Sequence, residues 1–167
     1  AWSLALARAQ EIEADHVAAR CTSARAAADA LTRLPLLRAR LDREYWPSVR
    51  RAAREAGTDV ATLAPHAGMA AFLATPPAPA FDERALELAL AEAPSLADAH
   101  PPLAQRLEAL GQLPRRPEPP ERSAADEWLS PELREAAAKL LDDAWRAAWA
   151  TLSEEERARV AAEAAGS

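Results

Sequence analysis

The chain has 167 residues, a formal net charge of −6 and a pI near 5.2, so it lacks the basic surface that a nucleic-acid partner requires. Half of the residues count as hydrophobic, but many are alanine, and five of the eight aromatics are tryptophan. Stability must therefore come from Leu and Trp positions and from helix propensity. Cys21 is the single cysteine, which excludes an internal disulfide and a cysteine-rich metal site.

Strand signals are nearly absent: Ile12 is the one isoleucine, and no stretch alternates apolar and polar β-branched residues. The pattern predicts an all-α fold of many helices joined by Pro-rich loops. The first helix is expected from about Ser3 to Cys21, with Leu4, Ala7, Ala14, Val17 and Ala18 as its apolar side. Thr22 and Ser23 offer caps for a second helix, Ala24 to Leu34, which Pro35 should end or kink. A helix over Leu36 to Tyr45 should break at Trp46-Pro47, with Pro47 opening the next helix and Gly57 closing it. Residues 58–80 read as a short helical piece and a Pro-rich loop. The uncharged run from Val60 to Phe81 carries too many prolines for a membrane span.

Asp82 is expected to cap a helix from Glu83 to Ala93. Pro101 and Pro102 open a short helix that Gly111 closes. Residues 112–122 form a stiff, exposed, Pro-rich linker. Ser130-Pro131 should cap a long amphipathic helix whose apolar face holds Leu133, Leu140, Leu141, Ala144, Trp145, Ala148, Trp149 and Leu152. Ser153 with Glu156 makes a capping box for a last helix, which Glu154, Glu155 and Glu156 favour electrostatically. The resulting division is 1–111, a 112–122 linker and a 123–167 helical tail.

Two stretches could carry chemistry. Glu11 and Asp15 lie four apart in Glu11-Ile12-Glu13-Ala14-Asp15, on one helical face. A Glu can ligate zinc directly, and an acid one turn away can accept the spare N–H of a metal-bound histidine. The same spacing also describes two solvated carboxylates. The second stretch is His100-Pro101-Pro102-Leu103-Ala104-Gln105-Arg106. A neutral imidazole at a helix N-terminus, with an arginine nearby, could stabilise an oxyanion; it is equally a turn histidine before a proline-started helix. His16 and His66 lack a ligand set and read as surface or satisfied histidines. Cys21 reads as a small buried residue, and the Trp145–Trp149 pair as core.

Together the two stretches resemble the HtpX-like and CAAX-prenyl-protease-type membrane zinc metallopeptidases. Arg8-Ala9-Gln10-Glu11-Ile12-Glu13-Ala14-Asp15 resembles their E-x-x-A-D helix. Ala99-His100-Pro101-Pro102 with Arg106, Leu107 and Leu110 resembles their T-H-P-P-x-x-x-R-I-x-x-L segment, about ninety residues on. The resemblance covers about Ala5 to Gly111, with Ala99 where Thr or Ser is usual. It implies a zincin-type fold region in which Glu11 is the third zinc ligand and Asp15 the acid behind it. It also implies that His100 and Arg106 assist at the transition state.

These enzymes also need His-Glu-x-x-His, and none of His16, His66 and His100 begins that motif. The resemblance therefore implies a soluble C-terminal part of a zinc-dependent endopeptidase, cut from a longer chain and inactive alone. Zinc would be bound in the parent and only weakly here. The implied partners are a protein or peptide substrate and an upstream membrane-embedded part of the same chain, with no nucleic acid. Heavy Ala, Arg and Pro use suggests a high-GC bacterial source, and the family implies an inner-membrane parent with this region facing the cytoplasm. The alternative is a non-catalytic helical interaction domain from a degenerate member, with Leu133 to Leu152 as a partner-binding or self-associating surface.

Overall fold

The computed structural model describes residues 2–56, 60–95, 98–119, 122–152, 155, 156 and 159. The described residues are helices and connecting loops with no strand, so the fold is all-α. The α-helices are α1 (Trp2–Cys21), α2 (Ala24–Arg40), α3 (Trp46–Ala56), α4 (Pro65–Ala74), α5 (Pro79–Leu90), α6 (Leu103–Ala109), α7 (Ala124–Trp128) and α8 (Pro131–Thr151). Contacts divide the chain into two units, residues 1–39 with 77–119 and residues 40–76 with 120–167. The expected closure by Gly57, the Ser153 capping box and Glu154 lie outside the described residues.

In the first unit, Ala27, Ala28, Leu103, Leu107 and Leu110 form the core, with Ala19, Leu31, Leu86, Ala89 and Leu90 packed around them. Leu107 is 1% exposed, burial that contributes about 2 kcal/mol. Helix α1 departs from its expected apolar side. Ala14, Val17 and Ala18 are exposed, whereas Leu4, Ala7, Arg8, Glu11, Ile12, Asp15, His16 and Ala19 are buried or half-buried. The spacing is helical, but the inward stripe carries charge, because partners on other elements neutralise it. Cys21, expected to be buried, is exposed at the end of α1.

Ser23 caps α2 by accepting the N–H of Ala26 at 3.0 Å. Pro35 does not end that helix. Ala28, Thr32 and Leu36 are buried at four-residue spacing, and this packing outweighs the one lost backbone bond. Helix α5 begins at Pro79, earlier than expected; Asp82 lies inside its first turn, buried and paired with Arg116 at 2.8 Å. Helix α6 ends in a Schellman turn: Gly111, at φ 64°, donates to the Glu108 carbonyl, and Gln112 donates to Leu107. Residues 112–119 form no helix but are tied down within this unit. Arg115 pairs with Asp29, Arg33 donates to the Glu118 carbonyl, and Pro117 is buried.

In the second unit the expected break at Trp46-Pro47 is a π turn, Leu41–Tyr45. Trp46 donates to Leu41 five residues back, and the wider turn accommodates Pro47, which has no N–H to give. Residues 60–80 hold more helix than expected: a 3-10 turn at Val60–Thr62, then α4. His66 sits in the first turn of α4 rather than in a loop.

Helix α4 has no cap of its own and is capped at both ends by distant residues. At its N-terminus, buried Asp142 of α8 accepts from the His66 backbone (2.6 Å), His66 Nδ1 (3.0 Å) and the Ala67 backbone (3.3 Å). At its C-terminus, Arg40 donates to the carbonyls of Phe72 (3.0 Å) and Leu73 (3.3 Å) and lies over the Phe72 ring. Negative charge at the start and positive charge at the end both oppose the helix dipole. The Tyr45 hydroxyl donates to the Pro65 carbonyl. It reaches that carbonyl past Gly68, where a Cβ would stand 3.2 Å from the hydroxyl oxygen.

Ser130 caps α8 as expected, accepting from Leu133 at 3.3 Å. Its inward face is not the expected leucine face. Asp142 and Trp149 are buried and Trp145 is stacked on Trp149, while Leu133, Leu140 and Leu141 are exposed.

Asp142→Ala should lower stability by about 2 kcal/mol, the loss of a cap and of a satisfied buried network; an unchanged urea midpoint would contradict the tertiary cap. Burial, then the charge of Asp142, raises the Tyr45 pKa above 10.0. The folded state therefore keeps a proton that the unfolded chain releases. The corresponding stability is fully present below the unfolded value and declines as pH rises through the folded one. Tyr45 is the sole tyrosine, so phenolate absorbance reports it alone; the expected midpoint lies above that of a free tyrosine.

Candidate functional site

The first unit brings Glu11, Asp15, His100 and Arg106 together. Glu11 and Asp15 project from the inward face of α1. Arg106 comes from α6, which the core residues Leu103 and Leu107 hold in place. Arg106 donates Nε–H to Asp15 Oδ2 and an Nη2 proton to Asp15 Oδ1, both at 2.7 Å. The same nitrogen lies 3.3 Å from Glu11 Oε2. The Asp15 side chain is 8% exposed and that of Arg106 19%, so the pair is largely withdrawn from water. The hydrogen bond that Arg106 donates to Asp15, reinforced by the charges of Asp15 and Glu11, raises the Arg106 pKa above its ordinary value against the opposing effect of burial.

His100 lies in the loop before α6, not at the helix N-terminus that the sequence suggests. The N-cap is Pro102, two residues later. The backbone N–H of His100 donates to Asp98 Oδ1 at 2.8 Å, and Arg8 of α1 donates to the Asp98 carbonyl at 2.8 Å. That chain of bonds brings His100 Nδ1 to 3.4 Å from Glu11 Oε2, with the imidazole 67% exposed. Glu11 is thus contacted by two cationic or potentially cationic groups, and its side chain is 34% exposed.

Arg8, unassigned by sequence reasoning, and His16, read from the sequence as a surface or satisfied histidine, serve the site. Arg8 ties α1 to the His100 loop. His16 donates Nε2–H to the Ala109 carbonyl at 3.0 Å, tying α1 to the end of α6. Both stand on the Glu11 and Asp15 face at helical spacing; the signal was visible only once that face was known to be inward. His66 is far along the chain in the second unit, where Asp142 satisfies it.

The sequence model of Peptidase family M48 matches residues 1–113. The chain belongs to peptidase family M48. The match spans α1 through α6 and every residue of the four-membered cluster. No curated protein and no solved structure matches the chain.

M48 peptidases are in general zinc-dependent hydrolases. The residues of this chain do not by themselves fit a zinc site. Among the described residues no group of three His, Cys, Asp or Glu side chains could hold a metal ion. Both Asp15 oxygens are engaged by Arg106, which leaves Glu11 as the accessible carboxylate, whereas a catalytic zinc takes three protein ligands. Among the described residues no helix is long and apolar enough to cross a membrane.

Arg106→Ala strands a buried carboxylate and should cost about 3 kcal/mol. Glu11→Gln, at a part-exposed position, should cost less than about 1 kcal/mol. Urea denaturation of the two variants tests the order; equal losses would show that Asp15 does not depend on Arg106.

Proposed function

We propose that this chain is the C-terminal part of a membrane-associated zinc endopeptidase of the HtpX-like or CAAX-prenyl-protease type, acting on membrane or membrane-proximal proteins. The observation that carries the reading is the convergence of Glu11, Asp15, His100 and Arg106 inside the segment that matches the family. Glu11 is the metal-directed carboxylate, with the other ligands and the general base supplied by a His-Glu-x-x-His segment that this sequence lacks. The chain alone is inactive for that reason.

His100 and Arg106 are the groups that meet the developing oxyanion of a tetrahedral intermediate. Both side chains can donate hydrogen bonds, and Arg106 keeps its charge in a site partly shielded from water, where such donors act most strongly. Asp15 orients Arg106 by gripping the guanidinium fork on two atoms, which removes its rotational freedom. Each Asp15 oxygen retains a further lone pair, so the carboxylate can also accept one N–H from a ligand histidine.

A second reading, a helical interaction domain, draws on the exposed Leu133, Leu140 and Leu141 of α8, outside the matched segment. A self-associating α8 surface belongs to that reading.

In the full-length protein, Glu11→Ala should abolish zinc-dependent proteolysis and lower zinc occupancy while leaving the circular dichroism of the helices unchanged. Retained activity at normal zinc content would remove Glu11 from the ligand set.

A further inference from the structure

The unmatched positive charge of the chain is gathered on one side of α3. Arg43 of the π turn and Arg50, Arg51 and Arg54 of α3 have no ion pair, hydrogen bond or ring contact among the described residues. Every other described arginine has an interaction partner. Acid is not in short supply, since 26 acidic residues face 20 basic ones. Arg50 carries a further sign of an unmet partner: it is half-buried, and its Nε–H is withdrawn from water without an acceptor.

Positions 43, 47, 50 and 54 recur at helical spacing along one stripe, with Arg51 beside it. Pro47 is the uncharged member of that stripe. Tyr45 and Ala53 are buried and hold this segment to the protein from another side, while Arg43, Arg51 and Arg54 are exposed. Nearby carboxylates are mostly committed. Glu44 pairs with Arg40 at 3.5 Å, and Asp42 is engaged as well. Glu55, the single acid of α3, is exposed and makes no ion pair among the described residues. The stripe therefore sets four guanidiniums against one carboxylate over about 16 Å of helix.

We infer that this stripe rests on the anionic headgroups of a lipid bilayer. A guanidinium fork matches phosphate and carboxylate oxygens, the acceptors such a surface offers. A straight, outward stripe meets a plane along its whole length. Lipids also move sideways to reach each arginine, so no matching pattern of acids is required of the partner, as it would be of a protein. A nucleic acid is held through many phosphate contacts and is opposed by the net charge of −6. Because Tyr45 and Ala53 stay in the core, the contact is adsorption by charge, without insertion. The inference takes no support from the peptidase reading and would hold for a chain with no catalytic partner.

The test is cosedimentation of the whole chain with vesicles of phosphatidylcholine alone or mixed with phosphatidylserine. Each arginine near an anionic surface gains about fivefold in partitioning, so four against one carboxylate predict about a hundredfold preference for the mixed vesicles at low salt. Added salt should erode it. The Arg43→Gln, Arg51→Gln, Arg54→Gln variant should lose the preference with its circular dichroism unchanged, since none of the three side chains has a partner to lose. Removing equal charge from other exposed arginines, Arg20→Gln, Arg84→Gln and Arg122→Gln, should preserve it. Equal sedimentation with both vesicles, a preference that survives in the α3 variant, or an equal loss in the control variant overturns the inference. So does a labelled DNA duplex that binds through the α3 arginines when the vesicles do not. None of these outcomes bears on proteolysis by the full-length protein, where Glu11→Ala separately decides the peptidase reading.

Discussion

The buried, two-pronged ion pair between Arg106 and Asp15 is the constraint around which the first unit is arranged. Withdrawing two opposite charges from water is costly, and the cost is offset only when both are satisfied in a fixed geometry. That requirement places α6 against the charged face of α1 and sets where Glu11 and His100 can stand. The surrounding bonds follow the same line. Arg8 holds the loop that carries His100, and His16 holds the carbonyl end of α6. An alanine-rich helix buries little apolar area, so polar tethers do much of the positioning that leucines do elsewhere.

The second unit solves a similar shortage differently. Helix α4 begins at a proline and has no local cap, yet both its ends are closed by charges from far along the chain, Asp142 and Arg40. Such caps define where a helix starts and stops through tertiary contact alone. They also explain the inward face of α8. A buried aspartate that accepts three N–H groups outranks leucines as the contact residue, and Leu133, Leu140 and Leu141 are left outside.

The cluster on α1, α6 and the loop before α6 gathers one part-exposed carboxylate, one oriented arginine and one solvent-facing imidazole. Among the described residues it has too few ligands for a metal. All four residues lie within the segment that matches the family.

The sequence by itself determined the helical class, most helix starts and the four residues that meet. Capping serines, prolines at first turns and the Gly111 stop are local signals, and the two motifs could be read as linear patterns. Tertiary structure alone decided which face of α1 and of α8 turns inward, because charge at a buried position is tolerable only when its partner is present, and Arg106 lies 91 residues from Asp15. It also decided that Pro35 does not end α2 and that the backbone meets Pro47 through a π turn. The penalty of a proline is local and fixed, whereas the packing that outweighs it comes from residues on other elements.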